Sequence, residues 1–592
     1  MDAHGVTAVS RTKQRKTGAL EGCGAWPASC ERALIVKPIN LLRVGLTAAA
    51  ARLLMGCGAD SANSTPGGPL FTVDAGSTPR FDAGASPAAD AGLPPEIEEQ
   101  RVFETPQAGS RFVYVANPRR DNVAVIDSRT LAITSVEAGD GPTYLVTVPE
   151  RGGTPVDEAL VINVNASTAT LLRSTTAGTT TTQMPVVAGA NAIAVAPNGH
   201  YAVVYLDTSR PNQGVPAGSF QEVAVLRLDP GMERGLLLSV GFRPINVQFS
   251  ADGETGFVIT EDGVSILRFA SLTGPALVPT VSFYDDSIVA PSDAGVADAG
   301  AVLPRDARAQ DVSVTRDGRF AIARFADSPA MRVVDLMRRT VQTINLGTAI
   351  TDLDVAPDGT FALAALRGES RVLRIPIPGG LTDPALRRSI DLPGEVVGSI
   401  TMSPDGARAL VYSTAAMTER ATLLDLAGTT PPAVLRLRKT VRAVAFAPGG
   451  ESALIVHGRS EGSSTEPGID LETQIDRAYG YSLLNVAERF TRLQLTPAEV
   501  GPFALVPGGT HAFVLLRDDS RRVSLAQRIT LASLTIQDLA LGSPPVSVGA
   551  VPATERAFIG QDHPEGRITF VDWNTGAQQS ITGFELNSRI VE

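Results

Sequence analysis

Lysine is scarce in this chain of 592 residues. It occurs only at Lys13, Lys16, Lys37 and Lys439; every other basic residue among the 51 is arginine, a bias we attribute to a GC-rich genome. With 62 Asp and Glu the formal net charge is −11, which argues against nucleic acid as a partner. Cysteine is confined to Cys23, Cys30 and Cys57, so nothing beyond Cys57 can form a disulfide, a thiolate metal site or a cysteine nucleophile. No C-x-x-C-H occurs, which excludes covalent haem of the c type. Tryptophan is limited to Trp26 and Trp573, leaving little support for a stacked quinone. Phosphate-loop and dinucleotide fingerprints are missing. No cofactor and no metal ion are therefore expected. No apolar run reaches the roughly 18 residues needed to span a bilayer.

What is abundant is turn chemistry. Fifty-six Gly and 41 Pro argue against a helical bundle, while 43% hydrophobic residues are enough for a core. From about residue 110 a unit recurs, with Pro/Asp/Gly turns between short apolar runs. The turns centre on Asn198, Asp252, Asp317, Asp358, Asp405, Gly449 and Gly508, with weaker versions at Pro149–Gly152 and Pro552–Glu555. Proline presets φ at the turn and glycine takes a conformation other residues resist, so each turn predicts a hairpin. A third strand ends in Asp127, Asp335, Asp425, Asn485 or Asp572, each placed to cap the following turn with its own side chain. Four short strands in every 40 to 60 residues predict an all-β fold: a β-propeller of four-stranded antiparallel blades, about eight to ten modules in one ring. The leading strands are expected to complete the last blade.

Three regions follow. Residues 1–56 read as a signal region, with a start codon assigned too far upstream as one explanation of its length. Residues 57–108, rich in Gly, Ala, Ser, Pro and Asp, read as a disordered linker. Residues 109–592 form the propeller, with a soft insertion at 285–308. Residues 41–57 (LLRVGLTAAAARLLMGC) resemble a bacterial lipoprotein signal, with Leu54-Met55-Gly56-Cys57 as the lipobox. That likeness implies lipidation of Cys57, membrane lipid as a partner and a cell-envelope address, on the periplasmic side or at the outer membrane.

Tyr114-Val115-Ala116-Asn117, then Asp121 to Asp127 (DNVAVID) and Gly141-Pro142, resemble the YVTN family of β-propeller repeats. The match is good over 111–148 and degrades later. It implies blade geometry and an extracytoplasmic setting, and says almost nothing about activity.

In a propeller, the first-to-second and third-to-fourth connections share one face, and the others share the opposite face. Long segments are expected on the second set: 207–222, 457–478, 517–527, 561–566 and 285–308. That face is the expected binding surface for an unknown protein or glycan, with His457, Arg517, Asp518 and His563 as its candidate residues. Gly458–Gly462 fits G-x-S-x-G but lacks the strand-to-helix setting of a nucleophile elbow. The alternative is a propeller enzyme, a lactonase-like hydrolase or a lyase. It would require several of His457, His563, Arg517, Asp518 and Glu261 to converge on the central opening around an ion.

Overall fold

The computed structural model describes residues 71–73, 94, 96, 99–101, 107–151, 156–210, 219–284, 309–583 and 586. Cys57, the signal region and the 285–308 insertion lie outside the described residues, as do most of 57–108 and the weak turn at 152.

The chain forms ten antiparallel blades arranged as one ring. Blade 1 holds Phe112–Asn117, Asn122–Asp127 and Ile133–Glu137, with Ala108 bridged to Val113 on its inner side. Blades 2 to 10 each hold four antiparallel strands in chain order; blade 3 gains a fifth, Ala276–Leu277, from the connection between the third and fourth strands of blade 4. In blade 6, for example, the four are Asp352–Val355, Phe361–Leu366, Arg371–Pro376 and Arg388–Asp391, from the axis outward. Strands alternate their side chains between two faces. Ala362, Ala364 and Leu366 therefore pack against blade 5, while Phe361, Leu363 and Ala365 pack against blade 7. Both faces are buried, which is why this strand reads as an unbroken apolar run.

Ten apolar clusters lie among the described residues, one in each seam between neighbouring blades. The tenth joins Val551, Phe558, Ile568 and Phe570 to Val113, Val115, Ala124 and Ile126 and so closes the circle. Closure differs from expectation. The last blade is complete in itself (Pro545–Val551, Arg556–Gln561, Arg567–Asp572, Gln578–Thr582), and the leading strands build their own blade. Face packing in this seam, aided by Ala553 N donating to Ser110 O at 2.7 Å, replaces strand exchange.

The seven strong turns share one geometry. In each, the glycine N–H donates back three residues, as Gly359 to Ala356 O at 2.7 Å, and φ of that glycine lies between +65° and +76°. Only a residue without Cβ adopts this region freely. The expected caps at the ends of the third strands also form. Asp127 Oδ1 accepts from Arg129 N, Asp335 Oδ1 from Arg338 N and Asp572 Oδ1 from Thr575 N.

The distribution of long connections needs two corrections. Arg517 to Gln527 is no loop: His511–Asp518 and Val523–Thr530 extend as an eight-residue hairpin joined by four residues. Two long connections, 269–279 and 377–387, lie on the turn face. Both fold back onto the ring: Ala276–Leu277 pairs parallel with Arg234–Ser239, and Leu381 is buried in the seam of blades 5 and 6. Outward-reaching segments remain on the opposite, loop-rich face. They include 458–478, which carries helix Leu471–Arg477 capped by Asp470; the second connection of blade 3 is described only at 206–210 and 219–221.

Within 57–108 a few residues are described. Phe71–Val73 pairs antiparallel with Glu99–Arg101, and Glu96 is anchored on the ring.

Candidate functional site

Inner strands present an open edge to the central opening, and their backbone groups need partners. Polar side chains from the preceding blade supply them. Asp352 Oδ2 accepts from Ile400 N at 2.5 Å, and Gln248 accepts from Val314 N at 2.8 Å. Asp354 keeps part of its surface open, yet loss of water pushes its carboxyl well above the usual range, assisted by the charges of Asp352 and Asp311. Asp311 in turn takes an ion pair from Arg324. This lining stitches blades together.

On the loop-rich face, the hairpin of blade 9 meets the second connection of blade 10. Arg517 Nη2 donates to Asp519 Oδ2 at 2.6 Å and to Asp562 Oδ2 at 3.0 Å, so one guanidinium spans the seam. Its charge holds Asp519 below the ordinary carboxylate range. Asp518 turns into its own hairpin, where Ser520 Oγ (2.6 Å) and Arg521 N (3.0 Å) donate to it; those bonds lower its pKa. His563 follows Asp562. Its Nδ1 accepts from Glu565 N, and its Nε2 lies 3.2 Å from Arg567 Nη2. Three of the four candidate residues therefore share one neighbourhood.

His457 does not join them. It ends the second strand of blade 8 and is buried beneath the face. Its Nδ1 meets Thr440 O at 3.1 Å and its Nε2 meets Ser482 Oγ at 2.8 Å. Burial first, and then the charge of Lys439, lowers its pKa to about 4, so the ring is neutral at pH 7. Strand position was legible in the sequence; depth was not, because it depends on Thr440 and Ser482 of the neighbouring strands. Glu261 sits in blade 4 and pairs with Arg243 at 2.9 Å, five blades round the ring from Arg517. The five groups do not converge. Among the described residues no three His, Cys, Asp or Glu side chains are grouped to hold a metal ion.

A region that sequence reasoning missed lies between blades 3 and 4. Phe220 and Phe242 stand edge to face with centroids 6.4 Å apart, and both are exposed. Arg243 lies over Phe242 and bonds Glu261, giving an aromatic surface with a charged border. The signal was two phenylalanines at connection ends, in a chain with only 20. A cavity between blades 8 and 9, about 20 Å³ and lined mainly by Leu454, Leu483, Phe503 and Val514, has room for little more than one water molecule. It is a packing gap, not a ligand site.

No protein-family model matches the chain, and no curated protein resembles it closely enough to count as a relative. Solved structures are similar only in outline. A hydrazine synthase of Kuenenia stuttgartiensis aligns at 16% identity over 57% of this chain and 95% of that one, with a TM-score of 0.30. The dihydro-heme d1 dehydrogenase NirN in complex with DHE aligns at 13% identity over 62% and 72%, with a TM-score of 0.35. A eukaryotic initiation factor aligns at 11% identity over 73% and 96%, with a TM-score of 0.41. Likenesses this distant carry no activity to this chain. Its propeller fold rests on its own strand pairing.

Proposed function

We propose that this protein is a lipid-anchored, extracytoplasmic propeller of the YVTN type, tethered through Cys57, whose loop-rich face binds a protein or glycan partner. One observation carries the reading. Seven first-to-second turns repeat a single tight geometry, whereas connections on the opposite face differ in length and content and display Phe220, Phe242, Met417 and Leu471. Loops can vary where strands cannot, and exposed aromatic or aliphatic groups beside charge suit recognition.

The anchor is tested by radiolabelled palmitate, with Cys57→Ser as the control; no label in the parent chain overturns it. The face is tested with a photo-crosslinking residue placed at Leu471 or Met417, against Met232 or Met337 on the turn face. All four sites are well exposed. Adducts in cells are expected from the first pair. Adducts from the second pair alone overturn the reading.

A further inference from the structure

Glu96 enters the ring from the segment that precedes it. Its Oε1 accepts from Ser413 Oγ at 2.7 Å and Arg367 Nη1 at 3.0 Å. Its Oε2 accepts from Thr414 N at 2.6 Å, Thr414 Oγ1 at 2.7 Å and Ala415 N at 3.0 Å. Pro94 O takes a further bond from Arg367 at 3.3 Å. The Glu96 side chain is 3% exposed and that of Arg367 10%.

All five donors to Glu96 belong to the ring: Arg367 to the second connection of blade 6, and residues 413–415 to that of blade 7. Bonds within the ring shape its surroundings: Ala416 N donates to Ser413 Oγ, and Thr351 Oγ1 donates to Gly398 O. A Cβ on Gly398 would overlap the carboxylate, so the depth of the pocket depends on glycine there. Two backbone N–H groups, two hydroxyls and a guanidinium converging on one point form an anion-recognition site.

None of the ten seam clusters uses Pro94 or Glu96, so the docked segment is added to a ring that closes without it. Beyond Glu96, strand Glu99–Arg101 lies beside the inner strand of blade 8 (Val441–Phe446), and the chain next reaches Ala108 on the inner side of blade 1.

We propose that this pocket is a recognition site for the glutamate side chain of an acidic peptide, and that Glu96 is an internal occupant which a partner's carboxylate displaces. This deepens the binding-face reading and rests on it for the choice of face. The probe is a labelled synthetic peptide copying residues 90–101, titrated into the full chain by fluorescence polarisation. Glu96→Ala should bind it at least tenfold more tightly than the parent chain. The same peptide with Gln in place of Glu96 should bind that variant at least tenfold more weakly. Adding Gly398→Ala to Glu96→Ala should abolish binding while the circular dichroism and melting temperature stay those of the single variant. Glu96→Gln serves in place of Glu96→Ala if alanine impairs folding. Equal binding to parent and variant, equal binding of the Glu and Gln peptides, or no binding to the folded variant each overturns the proposal. Loss of peptide binding with loop-face crosslinks retained removes the pocket and leaves the face. Peptide binding without loop-face crosslinks supports the pocket and removes the face.

Discussion

On the turn face, seven connections repeat the same backbone bond and the same left-handed glycine; on the loop-rich face no two long connections are alike. The carboxylates at the two faces differ in the same way. Asp157 opens the second strand of blade 2 and reaches the turn of blade 1, accepting from Ser110 N at 3.0 Å, Arg111 N at 2.7 Å and Phe112 N at 2.7 Å, and so joins two blades. Glu96 sits in an equally well-made nest but arrives from outside the ring. Similar chemistry serves ring integrity on one face and an exchangeable contact on the other. The difference lies in whether the acceptor is part of the repeat.

That contrast can be broken in four places. Asp157→Ala strands three backbone donors in a buried seam and should cost about 3–5 kcal/mol, read from the urea midpoint. A loss under about 1 kcal/mol would remove the distinction between the faces.

His457 tests whether the loop-rich side has a rigid floor. Its folded pKa of about 4 lies below the unfolded value near 6.5, so the unfolded chain binds more protons between the two. Stability from this site is complete above pH 6.5 and falls by up to about 3 kcal/mol on acidification to pH 4. His457→Asn should be less stable at pH 7.5 and show a smaller acid-dependent loss over that window.

The turn glycines separate conformation from contact. At Gly406 (φ +68°) a Cβ would meet only Pro357 Cδ, at an ordinary 3.5 Å, and Gly406→Ala should cost about 1 kcal/mol for the backbone alone. Gly318 has the same φ, but a Cβ there meets the Phe257 ring, so Gly318→Ala should cost about 2–3 kcal/mol. Equal losses would show that neighbouring blades yield at that contact. The smallest effect is expected at Arg517→Ala, under about 1 kcal/mol, because its ion pairs are partly solvated. A larger loss would make the blade 9–10 seam a structural lock like Asp157.

The repeat was legible because its signals are local. Pro/Asp/Gly turns, a terminal Asp that caps its own turn, and runs such as Phe361–Leu366 act over a few residues, and the hydrogen bonds they predict are present. The Asp-rich inner strands were legible only as strands. That Asp352 serves Ile400 N of the next blade depends on a neighbour 48 residues away. The candidate site was read in part: Arg517, Asp518 and His563 lie near one seam, His457 lies beneath the surface, and the Phe220–Phe242 pair went unnoticed.

By itself the sequence determined the blade and its repetition, since strand period, turn conformation and side-chain caps are set by each residue and its near neighbours. Only the tertiary structure decided that ten blades close by packing between the first and the last, and that a glutamate from the leading segment finds its donors in blades 6 and 7. Those contacts join residues hundreds of positions apart, and no local pattern carries their partners.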